Sequence, residues 1–194
     1  MRKVRPDEIL DLVAYERIRE DFVRRMIERK RPRRVQLGED LCFVFENRET
    51  VIFQIQEMTR AERTVKDEAI ANEVAVYNEL VPGEHELSAT LMIEITDLGG
   101  IRAALDRLVG IDEHVALEVG GALVRARFDE KQFEEDRISA VQYVRFPLGE
   151  ELARRFCDPA VPAALRVDHP NCVASAPLAG ATRAALIEDL REPG

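Results

Sequence analysis

Apolar residues recur along this chain in two rhythms, and the change falls just before its middle. Up to about residue 82 they keep mostly helical spacing; from about 83 onward they tend to alternate. The first rhythm predicts a helix from about Asp7 to Arg31, opened by Pro6 at its first position. Ile9, Leu10, Val13, Ile18, Phe22, Met26 and Ile27 would form its core-facing side. Short strands are expected at Val35–Leu37 and Leu41–Phe45, around the turn-rich Gly38-Glu39-Asp40. A helix from about Asp67 to Leu80 carries Ile70, Val74, Tyr77 and Val81 at helical spacing, with Glu73 on the edge of that stripe, and Pro82-Gly83 ends it.

Between these lies the most informative stretch, Phe45 to Arg63, reading FENRETVIFQIQEMTRAER. Asn47 can cap a helix by accepting a first-turn N–H, and Glu49 then sits where the helix dipole is positive. Val51, Ile52, Ile55 and Met58 fall on one side, Glu62 lands in that apolar stripe, and Gln54 lies on its border. Phe53 stands on the opposite, polar side with Glu57 and Arg60. A helix mixed on both faces packs on two sides, against its own core and against a second element or subunit. From the outward Phe53 we expect a homodimer.

In the second rhythm, Ser88–Thr96 places Ala89, Leu91, Ile93 and Ile95 on one face. A short helix is expected at Ile101–Val109. Strands at Val115–Val119 and Leu123–Phe128 flank Gly120-Gly121, a hairpin signal because both positions tolerate positive φ. A charged loop, Asp129 to Asp136, precedes the longest strand, Ile138–Phe146. Then come a helix at Glu150–Phe156, a hairpin of Ala164–Asp168 and Cys172–Ala176 joined through His169-Pro170-Asn171, and a last helix at Thr182–Leu190. The fold class is α+β: a helical N-terminal half (about 1–82) packed on a mostly antiparallel sheet from the C-terminal half (about 83–194), in one domain over 1–194.

With 194 residues of which 46% are hydrophobic, the chain can build a real core. Its net charge of -9 argues against nucleic acid as a partner, since phosphate binding needs clustered cations. No apolar run is long enough to span a bilayer and MRKVRPDEIL lacks the apolar region of a signal peptide, so no membrane association is expected. Cys42, Cys157 and Cys172 are few and scattered, which fits a reducing cytoplasm.

No G-x-S-x-G, Walker A, G-x-G-x-x-G or H-E-x-x-H motif is present. Two constellations are candidates. If the helices bearing Glu62 and Glu73 pack antiparallel, the two carboxylates converge near His85, as catalytic or metal-binding groups; the plain reading has Glu62 at a frayed helix end. Arg125, Arg127, Tyr143, Arg145 and Arg166 form a basic sheet face suited to a carboxylate or phosphate, or else pair across strands with Glu118, Glu94 and Asp168. Turn formation alone explains Asp168-His169-Pro170-Asn171, and His114 looks structural. The basic cluster Arg24, Arg25, Arg29, Lys30, Arg31, Arg33 and Arg34 complements the first helix's dipole or marks a docking patch for an anion or a partner.

FENRETVIFQIQEMTRAER, ELSATLMIEI at 86–95, ISAVQYVRFPL at 138–148 and VDHPN at 167–171 resemble a family of bacterial proteins catalogued only as a domain of unknown function. The resemblance spans essentially the whole chain. It implies genes neighbouring those of a rubrerythrin-like di-iron protein and an Fe–S oxidoreductase, hence a non-catalytic accessory or docking role beside redox partners in oxidative stress or electron transfer. No catalytic residues carry over, no cofactor is expected, and an aromatic residue is common at the position of Cys172. The competing expectation is a metal- or anion-dependent enzyme built on the carboxylate cluster or the arginine face.

Overall fold

Strand Leu41–Glu46 explains much of the architecture. Every one of its residues is buried, so both of its faces are covered, as a near-continuous apolar run requires. Leu41, Phe43 and Phe45 face a large core on one side, while Cys42, Val44 and Glu46 face the other. In the computed structural model of the chain, residues 1–95, 100–129, 133–134 and 137–192 are described. Helix α1 (Leu12–Lys30) leads through a basic 3-10 turn into strands β1 (Arg34–Leu37) and β2 (Leu41–Glu46). Helices α2 (Arg48–Ala61) and α3 (Asp67–Tyr77) follow, then β3 (Glu86–Ile93), α4 (Ile101–Asp106), β4 (Val115–Val119), β5 (Ala122–Arg125) and β6 (Arg127–Phe128). The chain continues through β7 (Phe133–Glu134), β8 (Arg137–Ile138), β9 (Val141–Pro147), α5 (Gly149–Phe156), β10 (Ala163–His169), β11 (Cys172–Pro177) and α6 (Gly180–Arg191).

The fold is α+β, and the strand pairs of the described residues are antiparallel. One sheet runs β1-β2-β3-β9-β6, the other β11-β10-β4-β5, and β7 pairs with β8. The sheet beneath the helices thus draws strands from both halves of the chain, not from the second alone. The two main sheets enclose one core, to which Phe43, Phe45, Leu91 and Phe146 contribute from the first and Leu117, Val124 and Leu165 from the second. They join where the expected strand Leu123–Phe128 breaks at Ala126: β5 pairs with β4, and β6 crosses to β9. At the far edge β1 lies against β11, with the position of a Gly38 side chain 3.7 Å from Ala174 Cβ. The β4–β5 turn holds Gly120 and Gly121 at φ of 55° and 85°, as the hairpin signal required. A side chain at Gly120 would collide with Arg155, whose guanidinium donates to the Gly120 carbonyl.

Some boundaries move. Pro6 opens a separate 3-10 turn at Pro6–Glu8, and α1 begins later because Asp11 caps it, accepting from the Val13 and Ala14 amides. Its buried stripe is Tyr15, Phe22 and Met26, whereas Val13, Ile18 and Ile27 are 64%, 45% and 59% exposed. The expected strand from Ile138 is interrupted at Ser139-Ala140, so β9 starts at Val141. Phe133–Glu134 is a strand within the stretch expected to be a loop, and residues 130–132 and 135–136 of that stretch lie outside the described residues. So does Thr96, the expected end of β3.

Candidate functional site

The outer face of the larger sheet carries α1, α2 and α3. Asn47 caps α2 as expected: its side chain accepts the Thr50 amide at 3.0 Å, and the Thr50 hydroxyl accepts the Asn47 amide at 2.9 Å. Both faces of α2 are covered within this chain. Val51 and Ile55 pack toward α3 with Val74 and Leu80, while Phe53 meets the Phe22 ring edge-on at 5.6 Å. Lys30 Nζ lies 5.6 Å from the centroid of Phe53. Glu57, expected on a wet surface, accepts from the Tyr15 hydroxyl at 2.7 Å and from Arg19 at 2.9 and 2.7 Å. Hydrogen bonding to Arg19 holds the Glu57 carboxyl below its usual range, and burial raises the Tyr15 phenol. The second element against α2 is therefore α1.

Where α1 ends, the two helices and the sheet leave a cleft of about 570 Å³. Val44, Thr90 and Met92 form its floor, Val23, Met26 and Phe53 its apolar walls, and Lys30, Arg31 and Arg34 stand around it. Glu46 and Gln54 also line it. Glu46 is 2% exposed, and its Oε1 accepts the Thr90 hydroxyl at 2.8 Å. Among the described residues its buried Oε2 has no hydrogen-bond partner, and neither has the buried Nε2 of Gln54. A buried acceptor and a buried donor without partners among the described residues, on side chains that line a mostly apolar cleft, are the kind of arrangement that can fix a ligand's orientation. Gln54 was visible in the sequence as the polar border of the α2 stripe. Glu46 was missed because the strand was ended at Phe45; continuing the alternation one residue puts Glu46 on the same face as Val44, under the helices.

The flagged basic cluster surrounds this region. Arg25 and Arg29 pair with Glu49, Arg31 with Glu28 and Arg34 with Glu94. Arg33 is fully buried in a two-pronged pair with Asp189 of α6, whose Oδ1 also accepts from Asn47 Nδ2 at 3.2 Å. This interior pair fastens the last helix to the start of α2.

Glu62 is the exposed C-cap of α2, and Arg63 takes the left-handed conformation at φ 53° that closes the helix, with Thr64 N–H donating to Thr59 O at 2.8 Å. Glu73 is half-buried on α3. Both carboxylates press on Tyr77, whose phenol is pushed up to about 12, chiefly by burial and then by Tyr143, Glu73 and Glu62. His85 lies apart from them beside Glu84, at 3.6 Å. The described residues hold no group of three or more His, Cys, Asp or Glu side chains able to bind a metal.

The five basic-face residues divide at the Ala126 break. On the smaller sheet Arg125 pairs with Asp168 at 3.1 Å and Arg166 with Glu118 at 2.6 Å. Asp168, lowered by hydrogen bonds from Arg125 and His114, also contacts His114 Nδ1 at 3.1 Å. On the larger sheet Arg127, Tyr143 and Arg145 line a second hollow of about 430 Å³. Arg145 pairs with Glu86 at 3.1 Å and Glu79 at 3.2 Å, while Arg127, directly across the strands from Arg145, has no salt bridge among the described residues. Burial, with Glu46 second, raises the Tyr143 phenol. Cys172 is half-buried beside the core and its thiol is raised by burial, unlike that of a reactive cysteine.

Residues 3–190 match the family described as "Protein of unknown function (DUF3501)". The chain belongs to this family. A crystal structure described as a novel protein of unknown function from Burkholderia pseudomallei K96243 is 34% identical, covers 97% of this chain and 100% of its own, and superposes with a TM-score of 0.91. That DUF3501 architecture is therefore shared across the whole described fold. No curated protein matches the chain. Among the described residues, no helix is long and apolar enough to cross a membrane.

Proposed function

We propose that the protein is a binding protein, accessory to another protein's chemistry, and that the cleft between α1, α2 and the sheet is its working feature. The observation behind this reading is Glu46: a carboxyl group that lines the cleft and is buried under the helices, with one oxygen satisfied by Thr90 and the other buried without a hydrogen-bond partner among the described residues. Anilinonaphthalene sulfonate, an apolar aromatic anion, should bind the native protein at one site. Val23→Trp, which fills the cleft from α1, should abolish that binding; undiminished binding to the variant would refute the reading.

The resemblance adds a finer proposal, that the protein served is a di-iron or Fe–S protein; from the sequence pattern we further propose that this chain works in the cytoplasm as a homodimer and as one domain. With Phe53 occupied by α1, the dimer rests on exposed apolar side chains such as Val13 and Ile27. Pull-down under reducing conditions should recover such a partner, and size-exclusion chromatography with light scattering should report twice the chain mass.

A second reading, an anion-dependent enzyme, draws support from Arg127, which stands across the strands from Arg145 beside the second hollow and has no salt bridge among the described residues, although Glu79 and Asp129 line the same hollow. Inorganic phosphate should then bind the wild type and not Arg127→Ala. The metal-dependent form, through Glu62, Glu73 and His85, predicts stoichiometric iron, manganese or zinc in elemental analysis.

A further inference from the structure

We infer that the cleft takes an elongated apolar molecule with an amide-type head, donor and acceptor side by side, at its inner end and an anionic group at its outer end. This rests on the reading of the cleft as the working feature and gives that site its ligand chemistry.

Two side chains that line the cleft, at what we take as its inner end, carry buried atoms of opposite need, which a small side-chain shift would open to a ligand. Thr90 donates to Glu46 Oε1, and Oε2, an acceptor when the carboxyl is ionised, has no donor among the described residues. Gln54 Nε2 is a donor and lacks an acceptor. A carboxylate head would satisfy Gln54 and be repelled by Glu46. An ammonium head would satisfy Glu46 and set a cation against the Gln54 donor. An uncharged amide edge serves both, donating to Glu46 and accepting from Gln54. The body between must be apolar, because Met26, Phe53 and Met92 wall the cleft, and two methionines give a surface that adapts to shape.

The outer end is cationic. Lys30 has no carboxylate partner among the described residues and lies over Phe53, at the boundary between apolar wall and solvent. Arg31 and Arg34 each meet a single exposed carboxylate, so positive charge prevails at this end. The volume of about 570 Å³ lies in the range of sites for small organic ligands.

The test is calorimetric titration with four compounds of equal chain length: the monoamide of sebacic acid, sebacate, decanamide and decanoate. The monoamide should bind about tenfold tighter than decanoate or sebacate, the effect of one to two well-made hydrogen bonds. Lys30→Ala should weaken the three carboxylate-bearing compounds and leave decanamide unchanged. Glu46→Gln should raise sebacate to the level of the monoamide; if that variant does not fold, Gln54→Met should erase the preference for the amide instead. Equal binding of all four overturns the ligand chemistry and leaves the cleft as a binding site. Binding of none, while anilinonaphthalene sulfonate still binds, also overturns it alone. Failure of every compound, anilinonaphthalene sulfonate included, leaves a cleft filled by solvent only, and both readings fall.

Discussion

The two faces of the larger sheet are made from the same strands and differ completely in character. On the inner face Phe43, Phe45, Leu91, Val144 and Phe146 meet the second sheet in a largely apolar core, with the amide of Gln142 buried on the same face. On the outer face the alternate residues, Glu46, Ser88, Thr90, Tyr143 and Arg145, meet helices that leave clefts between them. The inner face is mainly a packing problem: its buried polar side chain Gln142 donates to the Ser139 carbonyl, while its Oε1 has no hydrogen-bond partner among the described residues. Its counterpart is covered just as fully along β2 but is lined largely by polar side chains beside open clefts, and it is the face on which we place binding.

The sharpest way to break this comparison is to cut into both faces. Phe43→Ala should destabilise the fold by about 3–5 kcal/mol in chemical denaturation, the usual cost of removing a buried ring. Arg33→Ala, on the helical side, should cost about 3–5 kcal/mol, because Asp189 is then buried without its cation. If it costs much less, the interior pair is not what holds α6 to the helices.

Alkaline pH isolates the outer layer. Tyr15, Tyr77 and Tyr143 all lie on the helical side of the sheet, and burial raises the phenol of each. The folded protein therefore keeps protons that the unfolded chain releases near the ordinary tyrosine value of about 10. Stability from these groups is fully present below that value and is lost as pH rises through the folded values, about 12 for Tyr77. Phenolate absorbance should appear only together with unfolding monitored by circular dichroism. Three tyrosines titrating in the native protein near the ordinary value would contradict their burial.

The smallest effect is the most telling. Glu46→Gln should change stability by less than about 1 kcal/mol, because the carboxyl has only one protein hydrogen bond to lose and a buried charge is costly. A loss comparable to that of Phe43→Ala would mean that Glu46 is a pillar of the fold rather than a group kept for a ligand.

Much of this was legible in the sequence. Asn47, the Gly120-Gly121 hairpin and the mixed faces of α2 could be read because each is governed by local geometry. The identity of what covers α2 could not be: an outward Phe53 looks the same whether a second subunit or α1 lies over it. Likewise the alternation of Arg125 and Arg127 is genuine, but the transfer of the chain between sheets at Ala126 depends on which strands stand opposite, a long-range matter. Glu62 drew notice for falling on an apolar stripe, yet the helix closes there and the side chain turns to water. Glu46 passed unnoticed because a single acid after an apolar strand reads as its end.

The bond from Asp189 to Arg33 and Asn47 also sets an order of events during synthesis. The cap of α2 and the turn after α1 meet a residue translated some 140 positions later. While the ribosome is still making the sheets, the early helices can pack on one another, but Arg33 has no counter-charge. The buried guanidinium of Arg33 gains its counter-charge only when the final helix arrives, so a chain interrupted before residue 189 should be more open to proteolysis around the turn after α1.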